Sequence, residues 1–135
     1  QQKLELAHTA RRYEPGSLNA IGLVGLHAAL EMLQQVGVPA IAERIAALRS
    51  ALVTGLEAKG YEVLGPTSRA SGAAGAGGIA SFRRDDTDMV SLCRTLDQAG
   101  IVTSLRHDLS GRACIRVAPH FYNTEEELER LLSAV

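Results

Sequence analysis

The sequence has 135 residues, with 14 basic and 15 acidic side chains and a formal net charge of −1, which is the size of one domain with a modest core of its own. This balance offers no basic patch for nucleic acid and no acidic tail, so we expect no nucleic-acid partner. The apolar runs fall short of the roughly 18 residues that a membrane span requires, and the polar start QQKLEL is not that of a signal peptide.

The first predicted element is a long helix that begins near Ala20 and ends at Gly37. The preceding stretch, EPGSLN, predicts a turn with Ser17 or Asn19 as the N-cap. Apolar residues recur at steps of three and four, which is typical of one helix face: Leu23, Leu26, Leu30 and Leu33. Two glycines inside this helix, Gly22 and Gly25, suggest close packing against another element.

A second helix follows, with Pro39 in its first turn and Gly60 at its end. Its predicted buried stripe consists of Ile41, Ile45, Leu48, Leu52 and Leu56. A short strand over residues 61–65 and a loop over residues 66–77, rich in Gly, Ala and Ser, come next.

The remaining elements alternate between strands and helices. Residues 78–84 predict a strand, and the acidic stretch DDTD caps a helix that runs to about Gln98 and stops at Gly100. Residues 101–105 and 113–118 predict two strands joined by the hairpin turn RHDLSGR. Thr124 with Glu127 predicts a capping box at the start of a last helix, whose inward residues are Leu128, Leu131 and Leu132.

The order α-α-β-β-α-β-β-α predicts an α+β fold. Several connections are too short for parallel crossovers, so the sheet should be small and mostly antiparallel, with helices covering one face. The long N-terminal helix would connect this layer to whatever precedes it.

Few residues suggest chemistry on pattern alone. The segment GAGGIA matches the dinucleotide fingerprint in its letters, but a strand follows it where the fingerprint requires a helix. The four histidines are scattered, so no metal site is predicted. Cys93 and Cys114 form no CxxC pair, which argues against a zinc site or a disulfide framework and is compatible with a cytoplasmic protein.

Arg116 interrupts the apolar run of the last predicted strand. Alternation along the strand allows a solvated arginine on the open face of a half-covered sheet. Alternatively, its guanidinium faces a cleft and binds a carboxylate in bidentate fashion, with residues 119–123 shaping the wall beside it. The pattern alone leaves both interpretations open.

Two motifs resemble the class V aminotransferases, a family of fold-type I pyridoxal-phosphate (PLP) enzymes that includes cysteine desulfurases and isopenicillin N epimerase. IRVAPHFYNTEEELERLL resembles their C-terminal signature, with Arg116 six residues before Tyr122. RRYEPGSLNAIGLVGLHAALEML resembles the family stretch R-F-E-x-G-T-x-N and the Gly- and Ala-rich helix that follows it.

The resemblance implies particular roles. Arg116 would bind the substrate α-carboxylate of an amino acid, whereas Gly16 and Ser17 would contact the PLP phosphate of the partner subunit in a homodimer. Residues 1–135 would then be the C-terminal small domain, with residues 1–18 a remnant of the linker from a large domain.

Two departures from the family pattern shape this interpretation. The Schiff-base lysine of the family lies upstream in an S/T-x-H-K-like segment that this sequence lacks, so we expect a fragment that is inactive by itself and contains no catalytic residue. The stretch TSLRHDLSGRA contains no cysteine where desulfurases carry their nucleophile, which favours the epimerase- and lyase-like branch. The alternative is a stand-alone, non-catalytic α+β binding module.

Overall fold

The computed structural model describes residues 8–13, 16–65 and 77–135. The chain divides into two compact units, Gln1–Val38 and Pro39–Val135. The first unit contains a short 3-10 helix, Ala10–Tyr13, and helix α1, Ala20–Val36. The prediction that residues 1–135 form one small domain, with residues 1–18 as a linker remnant, stays a prediction.

Asn19, and not Ser17, is the N-cap of helix α1. The Asn19 side chain accepts a hydrogen bond from the Gly22 amide at 2.9 Å, which satisfies one of the amides that a helix start leaves unpaired. The helix ends as predicted, with the Gly37 amide donating to the Leu33 carbonyl at 3.0 Å.

The apolar face predicted for α1 is not buried. No residue of this helix is buried, and Leu23 and Leu30 remain 51% and 47% exposed. The close packing predicted at Gly22 and Gly25 is also absent from the described residues. A Cβ added at Gly25 would meet nothing within 4 Å, and one at Gly22 would meet only the side chain of Asn19.

The second unit is an α+β layer in the predicted order. Its helices are α2 (Val38–Ala58), α3 (Met89–Gln98) and α4 (Glu125–Ala134). Its strands are β1 (Glu62–Leu64), β2 (Ala80–Arg83), β3 (Ser104–His107) and β4 (Ala113–Val117). The strands form one sheet in the order β1-β2-β4-β3, and every neighbouring pair is antiparallel. The predicted loop over residues 66–77 lies outside the described residues except for Gly77.

Strand β3 lies further along the chain than predicted. It begins at Ser104 instead of residue 101 and includes His107, which pairs with Ala113. The turn is correspondingly shorter. The Asp108 carboxylate accepts hydrogen bonds from the Ser110 and Arg112 amides at 2.9 and 3.0 Å, and such an Asx-type closure fixes where pairing stops.

The core lies between one sheet face and the three helices. Val63, Phe82 and Ile115 project from the sheet into this core, and the Tyr61 ring packs edge-on against Phe82 with centroids 5.1 Å apart. The helices contribute buried leucines: Leu48, Leu52, Leu56, Leu96, Leu128 and Leu131. The predicted stripe of α2 is thus confirmed at its leucines, whereas Ile41 and Ile45 are half-buried.

Helices α2 and α3 end in the same way. The amides of Tyr61 and Ile101 donate back to the carbonyls of Leu56 and Leu96 at 3.0 and 2.8 Å. Between each pair stands a glycine with positive φ, 80° at Gly60 and 72° at Gly100, a conformation that glycine adopts without a Cβ penalty. These stops direct the chain into β1 and towards β3.

Candidate functional site

Arg116 lies on the sheet face opposite the helices. Its neighbour Ile115 is fully buried in the core, so alternation directs the half-buried Arg116 to the other side. The register sets Ser81 of β2 and Ser104 of β3 directly opposite Arg116. Residues paired in this way share a face, so a row of two hydroxyls with a guanidinium between them crosses three strands.

A second row lies beside the first. Arg106 of β3 pairs with the buried Cys114 of β4, and the β2–β4 register, continued by one position, brings Arg83 to the other side of Cys114. We call the six side chains of these two rows the outer face: Ser81, Arg83, Ser104, Arg106, Cys114 and Arg116.

Arg83 is fully engaged with acidic groups. Its Nε donates to Glu62 at 2.8 Å and its Nη1 donates to Asp108 at 2.5 Å. The hydrogen bond to Glu62 is the main reason why the pKa of Arg83 is raised. The Ser110 hydroxyl and the Arg112 amide, with help from Arg83, hold the pKa of Asp108 well below its usual range. These contacts attach the β3–β4 turn to β2.

Within the part of the chain that the structure describes, the guanidinium of Arg116, in contrast, makes no hydrogen bond or ion pair. A half-buried guanidinium has lost part of its hydration, and its five donors need acceptors. The geometry of Arg116 therefore favours an anionic ligand from outside the described residues.

The segment after β4 forms a compact aromatic turn. The His120 amide donates to the Asn123 side chain at 2.8 Å, and the His120 ring stacks on Tyr122 with centroids 4.9 Å apart. Within the described residues, the buried Nδ1 of His120 has no hydrogen-bond partner. The orientation of the His120 ring is thus fixed mainly by its packing against Tyr122.

A cleft of about 290 Å³ opens at the end of β4. Pro119 and Asn123 line it together with residues 100–103 and part of α4, but Arg116 does not. Two residues of the predicted wall, Pro119 and Asn123, therefore border this cleft, but the cleft and Arg116 do not form one pocket within the described residues.

Gly16 and Ser17 lie in the first unit, just before α1, and both are exposed. Neither residue has a hydrogen-bond partner among the described residues, and a Cβ at Gly16 would meet nothing within 4 Å. Free amides and a hydroxyl beside the N-terminus of a helix of 17 residues are a donor set that fits a phosphate.

No lysine in the described residues fits a Schiff base. The exposed Lys59 Nζ donates to the Val135 carbonyl at 3.3 Å, and Lys3 lies outside the described residues. In residues 8–13, 16–65 and 77–135, no group of three or more His, Cys, Asp or Glu side chains could hold a metal ion. Over the same residues, no single helix is long and apolar enough to cross a membrane, and only α1 and α2 taken together meet that test by length and composition.

Almost the whole chain resembles one family of known proteins. Residues 1–131 match the family described as Aminotransferase class-V. The chain belongs to this family. An uncharacterized aminotransferase of Bacillus subtilis (strain 168), YcbU, is 29% identical over 96% of this chain and 32% of its own length.

Two solved structures share the fold of this chain over part of their own length. A cysteine desulfurase of Thermococcus onnurineus NA1 shares the fold, with a TM-score of 0.83 and 23% identity over 96% of this chain and 33% of its own. A mutant of the protein C-DES, with glycine covalently linked to its PLP cofactor, has a TM-score of 0.75 and 26% identity over 98% and 33%. The chain thus spans about a third of the length of the relatives it matches.

Neither cysteine of this class-V chain lies in the stretch 103–112 that leads into β4. Cys114 is only 4% exposed within β4, and the Cys93 sulfur lies 3.5 Å from the Thr103 hydroxyl. A nucleophilic thiol must be reachable by its substrate. The buried position of Cys114 therefore agrees with a packing role.

The sequence indicated Arg116 but not the residues around it. Ser81, Ser104 and Arg106 come from separate segments, and their shared face follows from strand pairing. The alternation of side chains within each strand could have shown which residues share a face with Arg116. The bounds predicted for β3 were wrong, so this pattern could not be applied to Ser104 and Arg106. The shared position of Gly16 and Ser17 before a helix start was visible in the sequence.

Proposed function

We propose that this chain is part of a PLP-dependent class-V enzyme that acts on an amino acid, and that Arg116 binds the substrate α-carboxylate. The observation that carries the proposal is the half-buried Arg116 between two serines, with no acidic partner in the described residues. Membership of the family and the PLP-containing relative support the choice of cofactor.

In this proposal the chain's own residues bind and orient. The planar fork of Arg116 donates two parallel N–H bonds to one carboxylate, which fixes the rotation of the substrate about its Cα. Gly16 and Ser17 would hold the PLP phosphate of the partner subunit in a homodimer. PLP, when bound, supplies an electron sink for the bond broken at Cα, and the lysine that carries it would lie outside this chain.

The exposed apolar surface of α1 supports a larger assembly. Ile21 and Val24 are 88% and 71% exposed on this helix, and apolar surface of this kind marks an interaction site. We propose that the remainder of the enzyme and its homodimer partner cover this surface. The unpaired cysteines support a cytoplasmic setting, which keeps thiols reduced.

Within the family we favour lyase- or epimerase-like chemistry over a mechanism with a cysteine nucleophile. The stretch 103–112 offers no thiol, and Cys114 is buried. A cysteine persulfide on this chain would therefore be unexpected. Absence of persulfide after turnover with cysteine, checked by mass spectrometry of the intact protein, is the expected result.

Replacing Arg116 by Lys in the full-length enzyme tests the carboxylate role. Lysine keeps the charge but loses the bidentate fork, so kcat/KM should fall by an amount equivalent to about 2–4 kcal/mol in transition-state binding. PLP affinity should stay unchanged, because Arg116 is not assigned to the phosphate. Arg94→Lys, on α3, is the matched control. If Arg116→Lys has the kcat/KM of the wild type, Arg116 is a solvated arginine on the open sheet face and does not bind the carboxylate.

A further inference from the structure

Among the residues that the structure describes, two arginines of the outer face, Arg106 and Arg116, have no acidic partner. The exposed Arg106 donates from Nη1 to the carbonyl of its neighbour Leu105 at 3.1 Å, and Arg116 has no partner among the described residues. Other arginines of this unit, including Arg83 of the outer face, are matched with carboxylates: Arg44 with Glu125, Arg83 with Glu62 and Asp108, Arg84 with Asp86, and Arg112 with Asp108. The uncompensated positive charge of the outer face therefore lies on Arg106 and Arg116.

These two arginines are diagonal neighbours. Arg116 pairs with Ser104 and Arg106 pairs with Cys114, so the arginines share one face at a diagonal spacing of roughly 7–8 Å. Like charges on neighbouring positions of one face repel each other when their side chains approach. An anion with two charged groups would relieve the repulsion at both positions.

The residues beside the two arginines are small. Ser81, Ser104 and Cys114 are small, so no bulky side chain of β2, β3 or β4 stands between the guanidinium groups in the two rows. The carboxylates of Glu62 and Asp108 are already bonded to Arg83 of the same face. Neither of them is free to neutralise Arg106 or Arg116.

We infer that Arg106 and Arg116 together bind a short dicarboxylate, and that the substrate of the enzyme is a dicarboxylic amino acid of the aspartate and glutamate class. Its α-carboxylate lies at Arg116 and its side-chain carboxylate at Arg106. This inference rests on the proposed function, and it adds a specificity residue, Arg106, that discriminates between substrates by their second charge.

Equilibrium binding to the full-length enzyme tests the inference without turnover. The probes are glutarate, which carries two carboxylates, and butyrate, which carries one. Calorimetry should show that glutarate binds about tenfold or more tightly than butyrate, since a hydrogen bond to a charged group contributes that much. Arg106→Gln should remove this preference and leave butyrate affinity unchanged, whereas Arg106→Lys should keep part of it.

Two further variants, Arg116→Lys and the control Arg94→Gln, distinguish a failure of the proposed function from a failure of the dicarboxylate inference. Arg116→Lys should weaken both probes, because both place a carboxylate at Arg116, and Arg94→Gln should change neither. If Arg116→Lys changes neither probe, the proposed function itself fails. If it weakens both but Arg106→Gln keeps the glutarate preference, only the present inference fails. Absence of measurable binding by glutarate, or a loss of melting temperature in Arg106→Gln with the preference intact, also overturns it.

Discussion

At the scale of single residues, Arg44 and Glu125 connect α2 to the start of α4. The Arg44 guanidinium contacts both carboxylate oxygens of Glu125, and its Nη2 also donates to the Asn123 carbonyl at 3.0 Å. This hydrogen bonding is the main reason why the pKa of Glu125 is lowered from 4.5 to about 2. Both side chains reach solvent, so salt and water weaken the pair.

The lowered pKa of Glu125 predicts a specific acid sensitivity. A carboxyl group whose pKa is lower in the folded state stabilises the protein above its unfolded pKa, and this contribution is lost as pH falls through the folded value. The stability difference between wild type and Glu125→Gln should therefore be constant above pH 4.5 and vanish as pH approaches 2. Urea unfolding across this range measures it.

The control for this prediction is Glu129→Gln on the same helix. The Glu129 side chain makes no ion pair or hydrogen bond within the described ranges, so this substitution removes a carboxylate from α4 without breaking a contact to Arg44. A wild-type advantage over Glu125→Gln that persists unchanged at pH 2 would contradict the proposed link with Arg44.

At the scale of secondary-structure elements, α4 owes its start to a capping box. The Thr124 hydroxyl accepts from the Glu127 amide at 3.3 Å, and the Glu127 carboxylate accepts from the Thr124 amide at 3.1 Å. The first turn also carries three glutamates, which suit the positive end of the helix dipole. The start of α4 positions Asn123 and Glu127 at the edge of the cleft.

Thr124→Ala should destabilise the protein by about 1 kcal/mol, because one helix amide loses its acceptor. Thr124→Ser keeps the hydroxyl and should lie close to wild type. The urea midpoint, measured at neutral pH with unchanged slope, gives the comparison. Equal midpoints for the Ala and Ser variants would show that the cap contributes nothing to stability.

At the scale of the whole molecule, the chain spans about a third of its relatives. Under the proposed function, Arg116 would bind a substrate carboxylate and Gly16 and Ser17 would bind a cofactor phosphate, and the covalent chemistry would need residues outside this chain. The two sets lie in different compact units. If binding residues lie in this chain and the residues for covalent chemistry lie outside it, activity would require the complete protein.

The 135-residue chain should therefore form no specific covalent adduct with PLP. Its two lysines are Lys3 and Lys59, and Lys59 is an exposed side chain bonded to the Val135 carbonyl. Incubation with PLP, borohydride reduction and mass spectrometry should find no stoichiometric modification, whereas the full-length enzyme should be modified at a lysine outside this chain. A single specific adduct on Lys3 or Lys59 would refute this assignment.

The sequence by itself determined the order of elements and most helix ends. Gly37, Gly60, Gly100 and Thr124 act through contacts within a few residues, so their effects can be derived from local sequence. The leucine stripe of α2 also follows from local periodicity. Arg116 could be singled out because a guanidinium within an apolar strand is costly unless it has a role or faces solvent.

Only the tertiary structure decided what surrounds Arg116. Pairing of β3 with β4 fixed the start of β3 at Ser104. Pairing of β4 with both β2 and β3 placed Ser81, Ser104 and Arg106 near Arg116, and such pairing joins segments that are far apart in sequence. The contacts of Arg83 with Glu62 and Asp108 also join segments that are far apart in sequence. Tertiary structure also decided that α1 buries none of its apolar residues, because periodicity shows which face a helix could bury but not whether another surface covers it.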